Sequence, residues 1–297
     1  MNIFQKTGCP PSEISNPINE TAVWFTWSSQ ARDFLRQWAE EVEGLEEPKL
    51  TFISADRPYN YTFSLSARLI KKKNLLHQLD SFARALMNIK LSHGIMLLTG
   101  IFNGDFDGRA LHFLFSCLRD RLVTTEQNSL AALYPPLGLT NEGSASPVTV
   151  DFPLHCDLYA PKLLFNVFED VPSDDSGASL FLSVIDLQTI MDKIPSLPTG
   201  NRSRILACIN SSDGEDHYDE FFDLVHGIDH EYTLELEKEM FARQKRIKLY
   251  PGQGYLIHER LWLHGREAPS NGVAENRLYR FVFDSFETRS HTTNDNS

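Results

Sequence analysis

The sequence predicts an α+β protein with a β-barrel or sandwich core, and three observations lead there. Helical periodicity is concentrated between residues 28 and 122, whereas short alternating or apolar runs bounded by Gly, Pro and Asn dominate the remainder. That separation of helices from strands is the pattern of an α+β unit. The chain of 297 residues is 41% hydrophobic and 11% aromatic, with 20 Phe, enough for a substantial core.

Residues 1–20 read as a loose arm. From Ser28 to Gly44, apolar Phe34, Leu35, Trp38, Ala39 and Val42 recur at helical spacing behind a Ser cap, which predicts an amphipathic helix. Strands are expected at 51–54 and 59–67, and a helix over 74–92. The apolar run Gly94–Ile101 is a buried strand by its bounding glycines, and a helix follows over 107–122. Residues 124–150 are rich in Pro, Gly, Ser and Asn and lead into the first motif. Beyond it, strands are expected near 163–169, 178–184 and 203–209, with a helix near 186–193. The acidic run Ser211–Glu220 reads as an exposed insertion, because clustered charge is usually solvated. Strands at 247–250, 254–258 and 277–283 close the chain, and 289–297 read as a disordered tail.

A net charge of −12, from 28 basic and 40 acidic residues, opposes any polyanionic partner and excludes nucleic acid or an anionic membrane as the expected ligand. The four cysteines are scattered without a C-x-x-C pair, which fits a reducing compartment. No apolar run approaches the roughly 18 residues of a membrane span or forms a signal peptide, so a soluble, cytoplasmic chain is expected.

The chemistry concentrates in two segments. His155-Cys156-Asp157 sets an imidazole and a carboxylate two positions apart, so on an extended segment both leave one face. With a second histidine from elsewhere they would form the two-His, one-carboxylate set suited to non-haem Fe(II). That histidine is expected in Pro251-Gly-Gln-Gly-Tyr-Leu-Ile-His258-Glu-Arg-Leu-Trp-Leu-His264-Gly-Arg266, ahead of Arg277 on an aromatic strand. His258 and His264 would share a face if 254–264 were one strand, so parity alone leaves both open. Arg277 and Arg280 fall on opposite faces of a regular strand, and the parity of Tyr279, Phe281 and Phe283 favours Arg277 as inward. Arg266 either contacts substrate or pairs with an acidic neighbour such as Glu267. Cys156, between two ligand positions, is expected to point away and be inert.

These motifs resemble the taurine dioxygenase and γ-butyrobetaine hydroxylase branch of the Fe(II)- and 2-oxoglutarate-dependent oxygenases. The likeness lies in His155-x-Asp157, the Gly177-Ala178-Ser179 turn, the Pro-Gly-x-Gly approach to Leu-His264-Gly-Arg, and the position of Arg277. It spans residues 94–284, with Gly-Ala where the family usually has Gly-Gly, and with 185–246 unmatched. The resemblance implies a double-stranded β-helix (jelly-roll) core with N-terminal helices outside it, in one domain over 21–288 carrying an inserted lid near 185–246. It implies iron on His155, Asp157 and His264, and the 2-oxoglutarate carboxylate held by Arg277 and Ser179. The implied reaction consumes O2, converts 2-oxoglutarate to succinate and CO2, and hydroxylates or desaturates an unactivated C–H bond. The carboxylate of Asp157 argues against halogenation, since related halogenases leave that position to chloride. By the same resemblance the substrate is a free amino acid or similar small zwitterion.

Two other readings accommodate the same residues. A cupin-like lyase or isomerase would use the metal as a Lewis acid and have no need of Arg277. A non-catalytic relative would keep the fold as a binding module. The acidic run 213–220 admits a mobile lid or second metal site beside the plainer solvated loop.

Overall fold

The computed structural model describes residues 4–7, 23–27, 94–99, 129–133, 137–139, 152–156, 161–171, 173–211, 215–268, 270 and 276–285. The strands among them are β1 (Phe4–Thr7), β2 (Val23–Trp27), β3 (Ile95–Thr99), β4 (Ser129–Leu133), β5 (Leu137–Leu139), β6 (Phe152–His155), β7 (Pro161–Asp170), β8 (Ser179–Ser183), β9 (Lys245–Ile247), β10 (Gly254–Ile257), β11 (Trp262–Arg266) and β12 (Asn276–Ser285). Between β8 and β9 stand α1 (Val184–Met191), α2 (Thr199–Asn210), α3 (Glu215–His226) and α4 (Thr233–Arg243). None of the described helices is long and apolar enough to cross a membrane.

Two sheets result. The larger runs β1-β2-β3-β10-β7-β12-β4, with β5 also on β12, and the smaller runs β6-β11-β8-β9. The β2–β3 pair is parallel and every other described pair is antiparallel.

Alternation along the strands separates two cores. Phe181, Ile247 and Trp262 of the smaller sheet meet Ile95, Leu97, Leu164, Phe168, Tyr255 and Ile257 of the larger one in a single cluster. The other face of the smaller sheet carries Leu154, Leu180, Leu182 and Leu263, which pack on the helices. A strand covered on both faces reads as a continuous apolar run, and Ser179-Leu-Phe-Leu-Ser183 is such a strand. Each fully buried large side chain here contributes about 1.5–3 kcal/mol.

The helices form because their apolar residues return every three or four positions. In α1 these are Val184, Leu187, Ile190 and Met191. Its first turn is fixed by Ser183, whose Oγ accepts the Asp186 N–H at 3.0 Å and donates to the Asp186 carboxylate at 2.7 Å. In α2 the buried Ile205, Cys208 and Ile209 share one face.

That periodicity corrects the strand expected near 203–209. The run Ile-Leu-Ala-Cys-Ile is too short to separate strand from buried helix by pattern, and here the sheet offers its flat outer face rather than an edge. The exposed insertion expected at 211–220 is corrected in part. From Glu215 the chain is helical, and Phe221, Leu224 and Val225 are buried behind the acidic positions. Residues 124–150 contain β4 and β5, and the arm contains β1. The described helices stand at 184–243. The helices expected over 28–44, 74–92 and 107–122, the strands at 51–54 and 59–67, and the tail lie outside the described residues.

Candidate metal centre

β11 lies between β6 and β8, and its register sets His264 directly opposite His155 on one side and Phe181 on the other. Both histidines are buried, at 1% and 4% exposed, and their ring centroids are 4.3 Å apart. A carbonyl can only accept, so His155 Nδ1, 2.9 Å from the Pro153 carbonyl, carries the proton and the lone pair resides on Nε2. The Glu259 carboxylate lies 3.0 Å from His264 Nδ1, an ion-pair contact out of line for a hydrogen bond, and its charge favours a proton on that nitrogen. Two imidazoles polarised through Nδ1 in this way are the donor set that a divalent first-row metal takes.

Local sequence explains the register. A Cβ on Gly265 would stand 2.7 Å from the Phe152 carbonyl oxygen, so only glycine lets β6 approach where the pairing shifts between His264 and Arg266. Upstream, residues 258–261 form a turn, closed by Leu261 N–H to the His258 carbonyl at 2.9 Å. The strand is therefore broken between the two candidate histidines. His258 sits in the turn with Nδ1 accepting the Arg260 N–H at 3.2 Å, and it is His264 that reaches His155. Glu259, 3% exposed, comes from the same turn.

Two positions beyond His264 on the same strand, Arg266 stands opposite Ser179, itself 3% exposed. Glu267, the acidic neighbour considered as one of its two possible partners, pairs instead with Arg246 at 2.5 Å. Nη1 of Arg266 is buried and meets no acceptor among the described residues, and burial pushes the guanidinium pKa down. Across the cluster, Tyr255 packs edge-on against Phe181 and its hydroxyl accepts a hydrogen bond from Asn166 at 2.6 Å.

The helical layer reaches the same centre through α3. The rings of Tyr218 and Phe222 each lie 6.1 Å from that of His155, and Phe152 lies edge-on to it at 4.5 Å. His226 Nε2 donates to the Leu154 carbonyl at 3.0 Å, tying α3 to the residue before His155.

Of the residues singled out in the sequence, His155, His264 and Ser179 come together on adjacent strands of one sheet. Asp157 lies outside the described residues. Arg277, the second residue of β12, stands opposite Asp170 and Gly138, and Arg280 stands opposite Asn166. A register shift between Arg277 and Leu278 removes the simple parity on which inward and outward positions were assigned. Cys156 is buried with Leu154 in the cluster against the helices. Glu259 escaped the sequence reading, because a lone glutamate in a turn carries no signal until His264 is placed beside it. Tyr218 and Phe222 were hidden by the acidic residues around them.

No family model matches the chain, and no curated protein matches it significantly. Solved structures do. Asparagine oxygenase in complex with Fe(II), 3-hydroxyasparagine and succinate is 13% identical, with 90% of this chain and 94% of that one covered and a TM-score of 0.49. The non-heme iron oxygenase OrfP, in complex with Fe and α-ketoglutaric acid, is 12% identical, with coverage of 88% and 93% and a TM-score of 0.49. PvcB from Pseudomonas aeruginosa is 16% identical, with coverage of 69% and 80% and a TM-score of 0.40.

Proposed function

We propose that this chain is an Fe(II)- and 2-oxoglutarate-dependent oxygenase that hydroxylates or desaturates a free amino acid or a similar small zwitterion. The observation that carries the reading is the buried cross-strand pair His155–His264, with His155 Nδ1 donating to the Pro153 carbonyl and the Glu259 carboxylate in ion-pair contact with His264 Nδ1. With Asp157 one position beyond Cys156, the three side chains would hold iron as two imidazoles and a carboxylate. When bound, iron with O2 would supply the oxidative decarboxylation of 2-oxoglutarate to succinate and CO2 and the oxidation of an unactivated C–H bond.

The protein's own part is to bind, orient and keep water out. Arg277, by the sequence resemblance, anchors the distal carboxylate of 2-oxoglutarate, since a guanidinium grips a carboxylate with a planar fork. Ser179 assists from the start of β8. Arg266, opposite Ser179, adds a second guanidinium on the strand of His264, and its buried Nη1, with no acceptor among the described residues, suits an anionic ligand. Tyr218 and Phe222 wall the site from the helical side.

A jelly-roll core is supported by strand order. In the two four-strand runs β10-β7-β12-β4 and β6-β11-β8-β9, chain-consecutive strands mostly fall in opposite sheets, as in a double-sheet roll. The domain boundaries proposed are 21–288, with 185–246 inserted.

The test is anaerobic titration with Fe(II) and 2-oxoglutarate, followed by exposure to air. The expected result is a weak visible charge-transfer band, then succinate release that rises with the right amino acid and falls sharply in Arg277→Ala. Metal-dependent turnover of a substrate without O2 or 2-oxoglutarate would overturn the reading in favour of a lyase or isomerase.

A further inference from the structure

Away from the His155–His264 pair, the helical layer gathers a second set of metal-ligating side chains. Cys208 of α2 is buried, and His217 and Glu220 stand one turn apart on the facing side of α3. The thiol sulfur, an imidazole nitrogen and a carboxylate oxygen all lie within 4.8 Å of one another. Arg204 Nε holds Oε1 of Glu220 at 2.7 Å. Oε2 is 3.6 Å from His217 Nδ1, too long for a hydrogen bond. Nδ1 of His217 is itself buried and has no hydrogen-bond partner among the described residues.

We infer that Cys208, His217 and Glu220 form a zinc-type site in the helical layer, taking one soft divalent cation and cross-linking α2 to α3. Zinc bonds of about 2.3 Å to sulfur and about 2.0–2.1 Å to nitrogen or oxygen put neighbouring ligand atoms about 3.5 Å apart, so a small closure completes the site. Thiolate and imidazole select Zn(II) over Mg(II) or Ca(II), which prefer oxygen alone. On binding, the thiol proton passes to solvent. The thiolate and carboxylate then balance the dication, while Arg204 keeps the far carboxylate oxygen. Tyr218 neighbours His217 on α3 and lies against His155, so the ion would also fix the helix that walls the candidate iron centre. The site does not depend on that centre's chemistry.

Cobalt(II) tests it, because Co(II) gives an intense near-ultraviolet charge-transfer band only when a thiolate is bound, and the His155 centre offers none. Metal-stripped full-length protein titrated with Co(II) is expected to develop this band stoichiometrically and lose it to added Zn(II). Cys208→Ser should abolish the band. His217→Gln, a change at a partly exposed residue, should weaken binding at least about tenfold. His155→Ala should leave the band intact. Circular dichroism of each metal-free variant checks that the helices persist. A missing band in the wild-type protein, or one that survives Cys208→Ser and so arises from another cysteine, overturns the inference.

Discussion

Glu259 sets its carboxylate 3.0 Å from Nδ1 of His264, with the two side chains only 3% and 5% exposed. Burying such a pair costs desolvation that the contact repays poorly, so its presence points to function more than to stability. A negative charge at that distance favours a proton on Nδ1 and leaves the lone pair on Nε2, the nitrogen a metal would use. Glu259→Gln preserves shape and removes the charge. It should lower metal affinity about ten- to a hundredfold, read as the Fe(II) concentration that half-saturates succinate release. Unchanged Fe(II) dependence would show that the carboxylate has no such role.

Gly265 is the second point where backbone geometry fixes the site. Any side chain there meets the Phe152 carbonyl at 2.7 Å, a backbone group that cannot turn aside. Gly265→Ala should push β6 away from β11, cost about 1–3 kcal/mol of stability and separate His155 from His264. Thermal unfolding should register a lower Tm, and Fe(II) binding should weaken more than the stability loss explains. Full Fe(II) affinity in a destabilised variant would mean that the shifted register is dispensable for metal.

The pairing of His155 with His264 was legible in the sequence because its signal is local: a strand on each side and a glycine required where the register shifts. The preference for His264 over His258 came from the resemblance alone, because strand parity cannot show the turn at 258–261 that interrupts an otherwise continuous apolar pattern. The helix at 199–210 was misread because its buried residues, Ile205, Cys208 and Ile209, sit in a run that satisfies both periods over so short a span. What decides it is the outer face of the smaller sheet, which no local pattern reveals. Arg266 stayed ambiguous until Glu267 was found on Arg246.

The guanidinium of Arg266 makes an opposite prediction for stability and for binding. Its Nη1 is buried without an acceptor among the described residues, and burial disfavours its charge. Arg266→Met should therefore leave Tm unchanged or raise it, since it removes a partly buried guanidinium whose Nη1 has no acceptor among the described residues. If a ligand carboxylate is the missing partner, KM for 2-oxoglutarate or substrate should rise about ten- to a hundredfold, the worth of a charged hydrogen bond. A fall in Tm with KM unaltered would assign Arg266 to the fold instead.

Acid should loosen the turn leading to Ser179 before it unfolds the core. Asp174 accepts the Ser176 N–H at 3.0 Å and the Ser176 hydroxyl on one oxygen, and the Ser270 hydroxyl on the other. It thereby ties the turn leading to Ser179 to the segment after Arg266. These hydrogen bonds lower its pKa from 3.8 to about 2. A depressed carboxylate contributes stability that is present in full above its unfolded pKa and lost as pH falls through the folded one. The loss therefore occupies the window from about pH 4 down to about pH 2. Because Asp174 is fully exposed, the effect on global stability is small, and the local one is the better readout. Amide exchange at Ser176 and Ser270 should accelerate across that window in the wild-type protein. In Asp174→Asn it should already be fast at pH 5 and should lack the acid-dependent step. A step of the same size in the variant would place the titrating group elsewhere.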